Sequence, residues 1–177
     1  MRVFWEKGYE GASLTDLTEA MGINRPSLYA AFGDKESLFH KAMERYAEGP
    51  ASYVRTALQE PTARKVIEAL LWGAVAMLGD PRNPRGCLTV HGALAAGTES
   101  EGVKRALVEW RRKGEAAIQK RLQRARNDDD LPQDMNVGDL TRYIATVLNG
   151  LGIQASNGAS KAQMARVVEM TLNSLPL

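Results

Sequence analysis

The sequence has little of what covalent or metal-dependent chemistry needs. Its one cysteine, Cys87, cannot form a disulfide within the chain, so a reducing compartment is expected. It has two histidines, His40 and His91, and neither a glycine-rich phosphate loop nor a nucleophile elbow. A Cys87–His91 dyad would lack a third, orienting group. No enzymatic activity and no cofactor are therefore expected. The longest apolar run, Ala69 to Leu78, is too short to cross a bilayer and reads as a buried helix. The opening MRVFWEKGYE lacks the apolar core of a signal peptide, so a cytoplasmic protein with no membrane partner is expected. Charge of one sign is also scarce. The formal net charge is +2, and residues 1–48 are slightly acidic: Arg2, Lys7, Arg25, Lys35, Lys41 and Arg45 face eight Asp and Glu. Generic attraction to a polyanion is weak in such a chain, and any nucleic-acid binding must rest on specific contacts.

What is present is helical periodicity from end to end. Ser13 with Asp16 three residues on is a capping-box-like start. Leu14, Leu17, Ala20 and Met21 follow at helical spacing, and Gly22 ends that helix with a left-handed cap. Asn24 caps a second helix, Arg25 to Phe32, with Pro26 in its first turn where a missing N–H costs nothing. Gly33 closes it, and Asp34 caps the next. Helix, short glycine-containing turn, short helix is the helix-turn-helix arrangement, whose second helix enters a DNA major groove. Arg25, at that helix's N-terminal end, suits a two-pronged contact with guanine. Ser27 and Tyr29 offer hydroxyls to phosphates, and Lys35 a cation beside a helix N-terminus. Leu28 and Phe32, four apart, face inward.

The segment Phe4 to Phe39 resembles the DNA-binding domain of the TetR family of transcriptional regulators. Its signature G-[IV]-x-x-x-[ST]-L-Y-x-x-F-x-x-K is matched at Gly22, Ile23, Ser27, Leu28, Tyr29, Phe32 and Lys35. The resemblance implies that Arg25, Pro26, Ser27, Tyr29, Ala30 and Ala31 face DNA, with Thr15 and Lys35 on the backbone. It also implies a longer first helix preceded by a basic arm. Here the first helix is expected over Met1 to Lys7 with Gly8 as its cap, so the given sequence starts inside it.

After Gly49-Pro50, a helical stretch is expected over Ala51 to Gln59. From Pro61-Thr62 a helix follows that is apolar nearly all round, from Val66 to Leu78. GDPRNPRG, Gly79 to Gly86, reads as a loop. Cys87 to Ala96 reads as a short apolar helix and Thr98 to Gly102 as a turn. A long helix over Val103 to about Arg126 has a basic outer face, and Glu109 and Glu115 among its cations mark that face as solvated. Two closing helices, Gly138 to Ser156 and Ser160 to Ser174, carry matching stripes. Leu140, Tyr143, Ile144, Val147, Leu148 and Leu151 answer Met164, Val167, Val168, Thr171, Leu172 and Leu175, a pattern for antiparallel packing.

The expected architecture is all-α: an N-terminal three-helix helix-turn-helix DNA-binding domain (1–48), then an α-helical ligand-binding and dimerisation domain (49–177). By the resemblance, Tyr143, Ile144, Val147, Leu148, Leu151, Val167, Val168, Thr171 and Leu172 join a second copy into a homodimer. Trp72, Met77, Cys87, His91, Leu94 and Trp110 line a pocket for an unidentified small-molecule effector. The function implied is a ligand-responsive repressor binding near-palindromic double-stranded operator DNA. Two alternatives stay open. Cys87 and His91, four apart, suit a redox or soft-metal signal; or the chain is a helical protein–protein adaptor without DNA binding.

Overall fold

In the computed structural model, which describes residues 1–90 and 101–176, the head is built by local signals that agree with one another. Helix α1 (Arg2–Gly11) bends at Gly8, whose φ of 70° suits glycine. The first helix breaks at Gly8, where its end is expected, and a further helical turn continues from there to Gly11. In α2 (Leu14–Met21), Ser13 accepts from the Asp16 backbone N–H and the Asp16 carboxylate accepts from that of Ser13. Gly22, at φ 65°, ends the helix. In α3 (Arg25–Phe32), Asn24 Oδ1 accepts from the Ser27 N–H at 2.8 Å. Asp34 caps α4 (Lys35–Glu48). The head's core is aromatic: Phe4 meets Phe39 edge to face at 5.1 Å, and Tyr9 stacks on Phe4 and meets Phe39. Leu17, Leu28 and Leu38 close it.

The rest is a bundle around α6 (Ala63–Leu78), which Thr62 caps and which buries nine residues, among them Ile67, Leu70 and Leu71. It packs against α5 (Tyr53–Ala57), α7 (Glu101–Asn127), α8 (Val137–Ser156) and α9 (Lys161–Ser174). Two expectations change here. The stretch Ala51 to Gln59 is helical only over five residues, flanked by three-residue turn bonds such as Ser52 N–H to Gly49 O and Glu60 N–H to Ala57 O. Glu101 and Gly102, expected in a turn, already belong to α7; a Cβ on Gly102 would strike the Glu36 carboxylate of α4, so glycine permits that approach. The expected helix from Cys87 is seen at 88–90, and its remainder lies outside the described residues.

The basic face of α7 does more than meet solvent. Arg121 donates to the carbonyls of Glu60 and Pro61, Arg126 to that of Met135 and Arg111 to that of Thr89. These cations tie distant backbone carbonyls to the helix, while Lys104, Lys113 and Arg124 pair with acids of their own helix or just beyond it. No strand and no helix long and apolar enough to cross a membrane occur among the described residues.

Asp16 also accepts from Lys7 Nζ at 2.6 Å, and the lysine and the Ser13 cap together hold its carboxyl down to about 2. An unfolded Asp titrates near ~3.9, so the native state gains from this group at neutral pH and loses that gain as pH falls through about 2. Urea midpoints measured from pH 5 to pH 2 are expected to fall less steeply for Asp16→Asn than for the wild type. Parallel pH profiles would contradict the assignment.

Candidate functional site

Two features stand out, an exposed helix on the head and a cavity in the bundle, with a shared aromatic junction between them. On α3, Leu28 is completely buried and Phe32 half-buried, which turns the rest of the helix outward. Arg25, Pro26, Ser27, Tyr29, Ala30 and Ala31 are all exposed, and so is Thr15 of α2. Tyr29 is a large aromatic that is 47% exposed. Arg25 Nη2 donates to Thr15 Oγ1 at 3.1 Å, so the guanidinium is steadied across the two helices. Lys35 differs from its neighbours. It is half-buried, with Nζ 4.5 Å from the centre of the Tyr9 ring, and burial pulls its pKa down while Glu10 opposes the shift. A cation held over an aromatic face is positioned before any partner arrives.

The cavity has a volume of about 520 Å³, in the range of small-molecule sites. Met77, Cys87 and Trp110 line it as expected from the sequence. Trp72 does not: it sits on the outer side of α6, 38% exposed, because Leu70, Leu71, Ala74 and Val75 already take the inner faces. His91 and Leu94 lie outside the described residues. Tyr46, Tyr53, Leu58, Leu70 and Ile118 complete much of the wall. Neither tyrosine is marked as a wall residue by the sequence. Tyr53 lies flat against Gly73 of α6, where a Cβ would collide with its ring. No group of three or more His, Cys, Asp or Glu side chains suited to a metal occurs among the described residues.

Tyr46 joins cavity and head. Its ring meets Trp5 of α1 edge to face at 4.8 Å, and its hydroxyl lies 3.4 Å from Cys87 Sγ and 3.7 Å from Met77 Sδ. The Trp5 indole donates to the Gly86 carbonyl at 2.9 Å in a buried bond, and Arg2 donates to the Arg82 carbonyl at 2.6 Å. The loop before Cys87 is thereby fastened to the head's first helix.

The closing helices split the expected dimer stripe. Ile144 and Val168 are completely buried inside one chain, and Leu151, Thr171 and Leu172 nearly so, because α8 and α9 pack against α6. Those five have almost no surface to offer a second copy. Leu148 turns to the cavity. Tyr143 and Val167 remain 42% and 44% exposed, and Val147 lines an outer groove with Gly150, Gln154 and Val167. Met170, 73% exposed, and Ile153 are further exposed apolar residues of these two helices; the six-residue stripes left both out.

A three-helix head that presents a short exposed helix, joined to a helical bundle with an apolar cavity, has the build of a helix-turn-helix regulator. The model for bacterial regulatory proteins of the tetR family matches residues 1–42, and the tetracyclin repressor-like C-terminal domain matches residues 61–171. The chain belongs to the TetR family of bacterial transcriptional regulators. Among curated relatives it is 26% identical to the HTH-type transcriptional repressor ComR of Escherichia coli, over 99% of this chain and 85% of that protein. It is 29% identical to the HTH-type transcriptional regulator YezE of Bacillus subtilis, over 99% of this chain and 91% of that one. A solved structure of the TetR family transcriptional regulator CifR, a cysteine mutant complexed with 26 bp double-strand operator DNA, superposes with a TM-score of 0.94 at 42% identity. That match covers 99% of this chain and 92% of CifR.

Proposed function

We propose that the chain is a cytoplasmic, ligand-responsive repressor that grips a near-palindromic operator as a homodimer. Residues 1–48 read DNA, and residues 49–177 hold the effector and the partner copy. The observation that carries this reading is the outward set on α3, exposed where an inward Leu28 forces it to be, in a fold like that of CifR bound to operator DNA. Arg25 reads a base edge, while Ser27, Tyr29 and Lys35 hold phosphates and set the register. The acidic head contributes little general attraction, so affinity depends on these few contacts.

Two heads must stand about one helical turn apart, ~34–36 Å, to meet two half-sites. The exposed apolar residues Tyr143, Val167 and Met170 of the two closing helices, with the groove that Val147 and Val167 line, support a second copy as their cover. An effector in the cavity presses on Tyr46, and through Trp5 and the Gly86 carbonyl it acts on α1, which carries the head. A ligand that binds one head spacing better than the other then shifts the equilibrium, with coupling of ~1–3 kcal/mol typical.

Anisotropy titrations against duplex DNA flanking the gene test the reading. Arg25→Ala is expected to weaken specific binding by ~1–3 kcal/mol and to relax preference at one base pair. Equal losses on specific and random duplex would reassign Arg25 to the backbone. Val167→Asp is expected to halve the sedimenting mass with the fold intact; an unchanged mass would move the interface elsewhere.

A further inference from the structure

Most of the cavity wall is carbon, yet two tyrosine hydroxyls in it have no oxygen or nitrogen acceptor for their protons among the described residues; Tyr46 Oη accepts from the Leu88 backbone N–H but donates only to sulfur. Tyr46 Oη meets only the sulfurs of Met77 and Cys87 as acceptors, at 3.7 and 3.4 Å. Sulfur is a weak acceptor for an O–H. The Tyr53 hydroxyl has no hydrogen-bond partner among the described residues, although its ring packs against α6. Burial, with the Cys87 thiol beside it, pushes the Tyr53 phenol well above its ordinary range, and the same causes push Tyr46 higher still. Both groups are neutral O–H donors at every physiological pH. A buried donor left unpaired is costly, and a bound molecule that supplies an acceptor removes that cost.

The charged groups of the lining do not compete for this role. Glu48, Arg55 and Lys113 are exposed, which puts them at the rim, Arg111 is committed to the Thr89 carbonyl at 2.7 Å, and the half-buried Glu115 is itself acidic and offers an anionic ligand no partner. A carboxylate at the depth of the tyrosines would be buried without a matched cation, which is unfavourable. A pure hydrocarbon would leave both hydroxyls unmade. We propose that the cavity selects an uncharged, mainly apolar molecule with a hydrogen-bond-accepting carbonyl or ether oxygen, which the Tyr53 and Tyr46 hydroxyls bind. The proposal rests on reading the cavity as the effector site and adds the chemistry it selects.

Three probes of matched size separate the possibilities in calorimetric titrations without DNA: 4-phenyl-2-butanone, butylbenzene and 4-phenylbutanoate. The ketone is expected to bind best and the carboxylate worst. Tyr53→Phe, which keeps the ring against Gly73, is expected to weaken the ketone about three- to tenfold and to leave butylbenzene within about twofold. Tyr46→Phe provides an independent variant with the same expected direction. Carboxylate binding equal to or tighter than the ketone, ketone affinity unchanged in both variants, or no binding by any probe would each overturn the proposal. A ketone that binds as expected yet leaves DNA affinity unchanged would instead remove the effector role and keep the ligand class.

Discussion

The packing of Tyr46 between the head and the cavity is the constraint on which the rest of the structure depends. One side of its ring closes on Trp5, the hydroxyl points at the cavity sulfurs, and the Trp5 indole is fixed to the Gly86 carbonyl. An edge-to-face aromatic pair contributes ~0.5–1.5 kcal/mol beyond its buried area, and a buried hydrogen bond a similar net amount. Neither is large, which matters for function. On the proposed reading, a junction of a few kcal/mol is within the coupling a small ligand exerts. A head welded on by a large apolar interface would be deaf to the cavity.

Much of the head was legible because its signals are local. Ser13, Asp16, Gly22, Asn24, Pro26 and Asp34 each act on backbone groups within a few residues, so their spacing alone marks the helix ends. Leu28 then decides which residues of α3 face out. The bundle was less legible, since periodicity tells that a face is buried but not by what. The family resemblance assigns Ile144 and Val168 to a partner; they are buried within the chain because both closing helices pack against α6. The resemblance assigns Trp72 to the pocket, yet even in a helix that is apolar nearly all round one position faces out, and Trp72 occupies it at 38% exposure.

Tyr46 and Tyr53 illustrate a second limit. Each sits at an ordinary position of its helix, and nothing in one dimension reveals that the Tyr46 hydroxyl meets Cys87 across 41 residues of chain or that the same thiol acts on Tyr53. The long-range role of the α7 cations was hidden for the same reason. Arg111 and Arg121 fit a solvated helix face by pattern, while their guanidinium groups reach carbonyls of distant loops.

The central claim is that two copies of α3 read one two-fold site. Selection of bound duplexes from a random-sequence pool, followed by sequencing of the enriched DNA, tests it most directly. The account predicts an inverted repeat whose half-sites are spaced by about one helical turn, ~10–10.5 bp centre to centre, or a multiple of it. Enrichment of a single asymmetric site, or none above the starting pool, would contradict it.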